Sequence, residues 1–304
     1  MMRVDSRSQG LADLHRHLDG SLRPETVAEF AATLGENVPS DLSFYSGMGL
    51  EQALSRFSFT LSLLQQPENV RRVASEICED ALKEGVTTLE IRFAPQLHRG
   101  APMEAIVDAA LEGISNRSGL LLCGLYGEDP SVLDRLVDIA ASRQGVVGID
   151  LAGGPTPSHR FHMTDYAHPF RRAKEHGLGV TVHAAEGRPP SEIRDAVEVL
   201  LADRIGHGTT LLEDSATVDL VLKQEVVIEA CLSSNAHVGA IATASEHPLP
   251  KWLALGVRAT VCTDNTLLSC VTSKSEHSLA LTLPGMTDSL LNRAIAHGHE
   301  GRFR

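Results

Sequence analysis

The stretch VTVHAAE (residues 180–186) is followed by SEIRDAVEVLL (191–201) and then by RIGHG (204–208). The first segment is a short apolar run, β-branched in its body and polar at its end, which predicts a strand. The second carries apolar residues at three- and four-residue spacing, which predicts a helix. The third is another short apolar run that stops at glycine. Strand, helix and strand in close succession form a parallel βαβ unit.

The same alternation continues in both directions. Further strands are expected over 11–19, 88–95, 120–127, 146–153, 226–235 and 258–265. Helical spacing recurs over 69–84, 103–116, 131–141, 165–176, 213–224 and 246–255. Gly85, Gly177 and Gly256 stand where left-handed C-terminal caps fall. Eight strands separated by helices predict an α/β chain folded as a (β/α)8 TIM barrel. A doubly wound sheet would carry a GxGxxG turn after its first strand, and that turn is absent. The connection over 20–87 is longer than one crossover needs, so extra helices are expected between strand 1 and strand 2, over the barrel mouth. Within it Phe57, Phe59, Leu61 and Leu64 read as core packing rather than as a substrate-facing lid. With no repeat or linker, one domain over 1–304 is expected.

Composition narrows the functional classes. The 304 residues are 42% hydrophobic and 22% charged, enough for a large core and unlike disordered or collagenous chains. Lys+Arg number 27 against 39 Asp+Glu, a net charge of −12, which would repel a nucleic-acid backbone or an anionic membrane. A neutral nucleoside stays open as a partner. The five cysteines form no CxxC pair, which points to reduced thiols in a cytoplasm and away from zinc ribbons and disulfide frameworks. Residues 1–10 are polar, without the apolar core of a signal peptide, and no apolar run nears the ~18 residues of a membrane span. A cytoplasmic enzyme is the expectation.

Barrel enzymes place their chemistry at the C-terminal ends of the strands. Strand 1 ends in His15-Arg16-His17, where alternation turns both imidazoles to one face. Strand 5 ends at His183 and Glu186, strand 6 at His207, and strand 8 at Asp264. Histidines and carboxylates from four strands converge in such a fold, which points to one catalytic metal. His15, His17, His183 and Asp264 supply three neutral nitrogens and a carboxylate, a set suited to Zn2+ with a position left for water. His207 would sit beside that water as base or orienting group, and Glu186 is close enough to give a proton to substrate. The end of strand 4, IDLAG (149–153), has no lysine to bridge a second ion, so one metal per chain is expected. The remaining histidines read as surface or internally satisfied side chains.

These segments together resemble the adenosine deaminase family of the amidohydrolase superfamily. The matching runs, in order, are LHRHLDGSLRPET (14–26), LEIRFAP (89–95), GIDLAG (148–153), HAAE (183–186), RIGHG (204–208), EACLSSN (229–235) and CTDN (262–265). Zinc deaminases of the other kind use H-x-E with PCxxC, which this chain lacks. The resemblance implies zinc-dependent hydrolytic deamination at C6 of a 6-aminopurine, with adenosine or deoxyadenosine as substrate. It implies that Glu186 protonates N1 and that His207 accepts or orients a proton of the attacking water. It further implies that the Gly153 N–H meets N3, that Asp19 lies near the ribose hydroxyls, and that Glu229 orients His207. Adenine, or a modified 6-amino nucleoside such as 6-aminodeoxyfutalosine, is the alternative substrate; a non-catalytic purine-binding barrel is the other reading.

The chain departs from the family pattern at three places. Asn265 replaces a second aspartate that contacts N7, and its amide can donate to that acceptor. Ala185 replaces the glycine of HAGE, and Leu232 stands where proline is frequent.

Overall fold

Eight parallel strands follow one another in sequence order around a single sheet. They are β1 (Leu11–His17), β2 (Val86–Phe93), β3 (Gly119–Leu125), β4 (Val146–Ala152), β5 (Gly179–Ala184), β6 (Arg204–His207), β7 (Val227–Ala230) and β8 (Arg258–Val261). This computed structural model describes residues 10–304, so the polar stretch over 1–9 lies outside the described residues. The sheet curls until its ends meet: Arg16 pairs with Asp264, the His17 N–H donates to the Asp264 carbonyl at 2.7 Å, and the Asp264 N–H donates to the His15 carbonyl at 2.8 Å. The result is the expected (β/α)8 barrel, whose seam falls at the residues singled out for chemistry.

Helices cover the outside as the apolar spacing requires. The 67–83 helix, for example, buries Val70, Val73, Ala74 and Ile77 along one side. Gly85, Gly177 and Gly256 have φ of 84°, 75° and 91°, the left-handed geometry expected of them. The long first connection holds helices over Pro24–Leu34 and Leu50–Leu63 before the helix over Pro67–Lys83. Two strands were expected to run too far: residues 258–265 yield only Arg258–Val261. Residues 226–235 yield only Val227–Ala230, and Leu232–His237 is a short helix that buries Leu232, Ser234 and Asn235. Leu232 opens this helix, a place where the absent proline would also be tolerated. All five cysteines are free, and no helix of the described residues is long and apolar enough to cross a membrane.

The inside of the barrel is polar. Arg92 of β2 reaches across to Asp150 of β4 and Glu229 of β7, both at 2.8 Å, and Arg204 of β6 pairs with Glu229 at 2.7 Å and with Glu90 of β2. All five of these side chains are buried. At the floor, the Phe303 ring lies 3.6 Å from the Arg204 guanidinium, and its N–H donates to Glu90 Oε1 at 2.6 Å. Gly179 and Gly148 make room for that ring, since a Cβ on Gly179 would lie 2.2 Å from it.

This floor gives a testable outcome. Phe303→Ala removes the ring over Arg204 and should lower stability by about 2–4 kcal/mol in a urea titration. A loss near zero would show that the ring does not seal the barrel.

Candidate active site

The imidazoles of His15 and His17 project from β1 to one face, as alternation requires, and His183 joins them from β5. Their Nε2 atoms lie 3.2 Å apart (His15–His17) and 3.3 Å apart (His17–His183). Asp264 Oδ1, carried just past β8, is 3.5 Å from His15 Nε2 and 3.4 Å from His17 Nε2. The Nδ1 atom of His15 donates to Glu229 Oε2 at 2.7 Å, and that of His183 donates to Asp150 Oδ1 at 3.1 Å. With those protons on Nδ1, the Nε2 lone pairs are left bare and turned toward one another. Ligands with bonds of about 2.0–2.1 Å in a tetrahedral arrangement stand about 3.3 Å apart. The donor set therefore fits a zinc-sized cation, which would relieve the crowding of lone pairs.

The surroundings reinforce that fit. Two buried arginines, Arg92 and Arg204, face three buried carboxylates, Glu90, Asp150 and Glu229. Burial alone would raise Glu229, but Arg92 and Arg204 outweigh it and hold the carboxylate well below its usual range. Burial is likewise overcome at Asp150 by His183 and Arg92, which keep it ionised. Ser234 Oγ donates to the other oxygen of Asp264, and Tyr126 Oη donates to the His183 carbonyl at 2.7 Å.

Glu229 does not orient His207 as expected. It holds His15, because β7 brings its carboxylate beneath β1 and between two arginines. The partner of His207 is Asn235, whose Nδ2 lies 2.9 Å from His207 Nδ1 and 3.2 Å from Glu186 Oε1. A backbone group sets this arrangement. The Leu249 N–H donates to His247 Nδ1 at 3.1 Å, so the proton of neutral His247 is on Nε2. Nε2 then donates to Asn235 Oδ1 at 3.2 Å, which turns the amide nitrogen toward His207 and Glu186. His207 Nδ1 accepts, and Nε2 is the nitrogen left for chemistry. Burial drives His207 well below the ordinary imidazole range despite Asp264, so the ring is neutral.

Glu186 is buried, and burial together with Asp264 raises its pKa to about 7. Asp19 is raised to about 7 by burial, and its Oδ1 has no partner among the described residues. Asn265 Oδ1 is also buried without a partner; a Cβ on Gly20 would lie 2.0 Å from it, so glycine there gives the amide its place. Glu186, His207, Asn265 and Gly153 line a cavity of about 50 Å³ directly over the histidines. That cavity shares His17, Leu54, Phe57 and Gly153 with a second chamber of about 340 Å³, which Asp19 also lines. Leu64 is fully buried in the core and Phe57 and Phe59 pack against it, as expected, but Phe57 and Leu61 also face this space. A larger cavity of about 690 Å³ lies elsewhere, beside Leu22, Lys83 and Cys270, and no histidine lines it.

Three residues of this site are left-handed without being glycine: Ala185 (φ 55°), His207 (φ 70°) and Asp264 (φ 61°). Each follows or ends a strand, so the reversed backbone re-aims the chain at the cavity. In this geometry Ala185 bears the penalty that the family's glycine avoids.

The family profile described as adenosine deaminase matches residues 10–304. The chain is 32% identical over 321 residues to the adenosine deaminase of Serratia proteamaculans, covering 99% of this chain and 95% of that protein. It is 32% identical over 290 residues to a probable adenosine deaminase of Dictyostelium discoideum, covering 89% of this chain but only 37% of that longer protein. Among solved structures, adenine deaminase from Arthrobacter aurescens superposes with a TM-score of 0.86 at 23% identity, covering 97% of this chain and 94% of that one. An amidohydrolase from Burkholderia ambifaria with bound Zn gives 0.86 at 20% identity, covering 100% and 90%.

Two outcomes follow from this geometry. Ala185→Gly should raise unfolding free energy by about 1 kcal/mol, visible as a higher Tm; a lower Tm would show that the methyl contributes packing that outweighs the strain. Removing divalent ions with a chelator should lower Tm and abolish turnover, and stoichiometric zinc should restore both. An unchanged Tm and rate after exhaustive chelation would show that the histidine cluster works without an ion.

Proposed function

Since the chain belongs to the adenosine deaminase family, hydrolases that cleave a C–N bond of cyclic amidines, we propose that it deaminates adenosine or deoxyadenosine to the corresponding inosine and ammonia, with one Zn2+ per chain. The observation that supports this reading is the buried Glu186, held near neutrality beside the convergent His15, His17, His183 and Asp264. When bound, the ion supplies Lewis acidity that lowers the pKa of a water toward about 7.

The rest is the work of the side chains. Glu186 holds a proton for the ring nitrogen N1, and transferring it withdraws electrons from C6. His207 Nε2–H orients the oxygen that adds to C6. One proton of the water departs with the amino group as ammonia, and the other restores Glu186, so the reaction balances. The Asn265 amide donates to N7 and the Gly153 N–H to N3, while Asp19 accepts from a sugar hydroxyl. His15, through Glu229, and His183, through Asp150, stay in the tautomer that presents Nε2 to the cation. The free thiols and the net charge of −12 fit a single-domain cytoplasmic enzyme whose partner is a small neutral purine rather than nucleic acid or membrane. Adenine or a modified 6-amino nucleoside is the second reading, favoured by Asn265 in place of a carboxylate.

Zinc-loaded protein should lower the absorbance of adenosine at its maximum as inosine forms; no change at high enzyme concentration would overturn the reading. Glu186→Gln should reduce kcat by about 10²–10⁴-fold or more, since proton delivery and ring activation are lost together. Because Glu186 must be protonated and its pKa is about 7, kcat/KM should fall as pH rises through that value. A profile flat to about pH 9 would assign the acid elsewhere.

A further inference from the structure

The second chamber is chemically unlike the first. Its wall is made by Leu54 and Leu61 from the helix over the mouth, by Leu97 after β2, and by Cys123 and Leu125 of β3. No lysine or arginine lines it, and its only acidic residue is Asp19. Arg188, which comes close to Gly154 at its edge, gives its Nε to both oxygens of Glu192 at 2.9 and 3.0 Å, so its charge is compensated, while its Nη2 has no partner among the described residues. His159 also lines the chamber, and its Nδ1 accepts from the Thr156 N–H at 3.3 Å. A phosphate placed there would lose its hydration, meet no lysine or arginine of the lining whose charge is not already compensated, and face the carboxylate of Asp19. An apolar group would replace water against leucine side chains at a gain of about 0.8 kcal/mol for each methylene buried.

The path into the chamber is also fixed. A cavity of about 50 Å³ over the histidines is too small for a nucleoside, so the ligand must extend past Phe57 and Gly153 into the chamber of about 340 Å³. Asp19 lines that chamber, and its Oδ1 has no partner among the described residues; a sugar hydroxyl would satisfy it. What lies beyond the sugar meets the leucines.

We propose that the chamber selects a 6-aminopurine nucleoside whose 5′ position ends in a neutral, apolar group, and that it excludes 5′-phosphates. This rests on the deaminase reading of the adjoining site. Leu61, Leu97 and Leu125 are the specificity-determining side chains.

The test compares adenosine, 5′-deoxy-5′-methylthioadenosine and adenosine 5′-monophosphate as substrates of the zinc-loaded protein, and measures binding of the same three to Glu186→Gln by calorimetry. The methylthio compound should match or exceed adenosine in kcat/KM, and the monophosphate should fall at least tenfold below it. Either relation reversed overturns the proposal. If none of the three is turned over, the deaminase reading fails, and the order of affinities still decides the chamber: the methylthio compound tightest supports the proposal, and the monophosphate tightest overturns it. Leu125→Arg or, where that variant does not fold, Leu97→Arg should shift the ratio of monophosphate to methylthio compound at least tenfold toward the monophosphate. A ratio unmoved by a folded variant places the 5′ end elsewhere and overturns the assignment.

Discussion

Arg92 spans the barrel between Asp150 and Glu229, and the arrangement of the site depends on that bridge. The three groups are fully buried, so none is compensated by water. Taking away one partner of such a set leaves an unpaired interior charge, a change worth about 3–5 kcal/mol. The bridge does more than hold strands together. Its two carboxylates receive the Nδ1 protons of His15 and His183, which fixes which nitrogen each ring turns upward. Electrostatics below the site thus decides which ring nitrogens face one another within it. A pair of neutral amides in the same places would orient the rings less firmly and leave the arginine uncompensated.

Strand parity made much of this readable in advance. Residues 15 and 17 had to share a face, and a barrel had to bring the ends of β1, β5, β6 and β8 together. Alternation tells which side a residue occupies, but not which strand lies opposite, because that is set by how the sheet closes. Glu229 was therefore placed beside the wrong histidine: β7 neighbours β6 in sequence order, yet its carboxylate reaches beneath β1. Asn235 and Ser234 were written in EACLSSN without assigned roles, and only the helical turn after β7 shows why they face inward. His247 gave no signal at all, since its influence runs through a backbone N–H that any sequence would supply.

The lid illustrates a different ambiguity. The apolar spacing of Phe57, Leu61 and Leu64 is the same whether a helix covers a core or roofs a cavity. Leu64 does the first and Leu61 the second, from one short segment. Periodicity reports that a face is sheltered from water; it is silent on whether the shelter is filled by protein.

The backbone of β1 meets the chain after β8 through His15, His17 and Asp264, the same residues whose side chains cluster at the mouth of the barrel. Closing the ring of strands is therefore what brings the Asp264 carboxylate against the imidazoles of β1. A chain that stopped before β8 would carry all three imidazoles, but neither the Asp264 carboxylate beside them nor the backbone bonds that close the sheet. Only when the final stave slides home does the clasp shut.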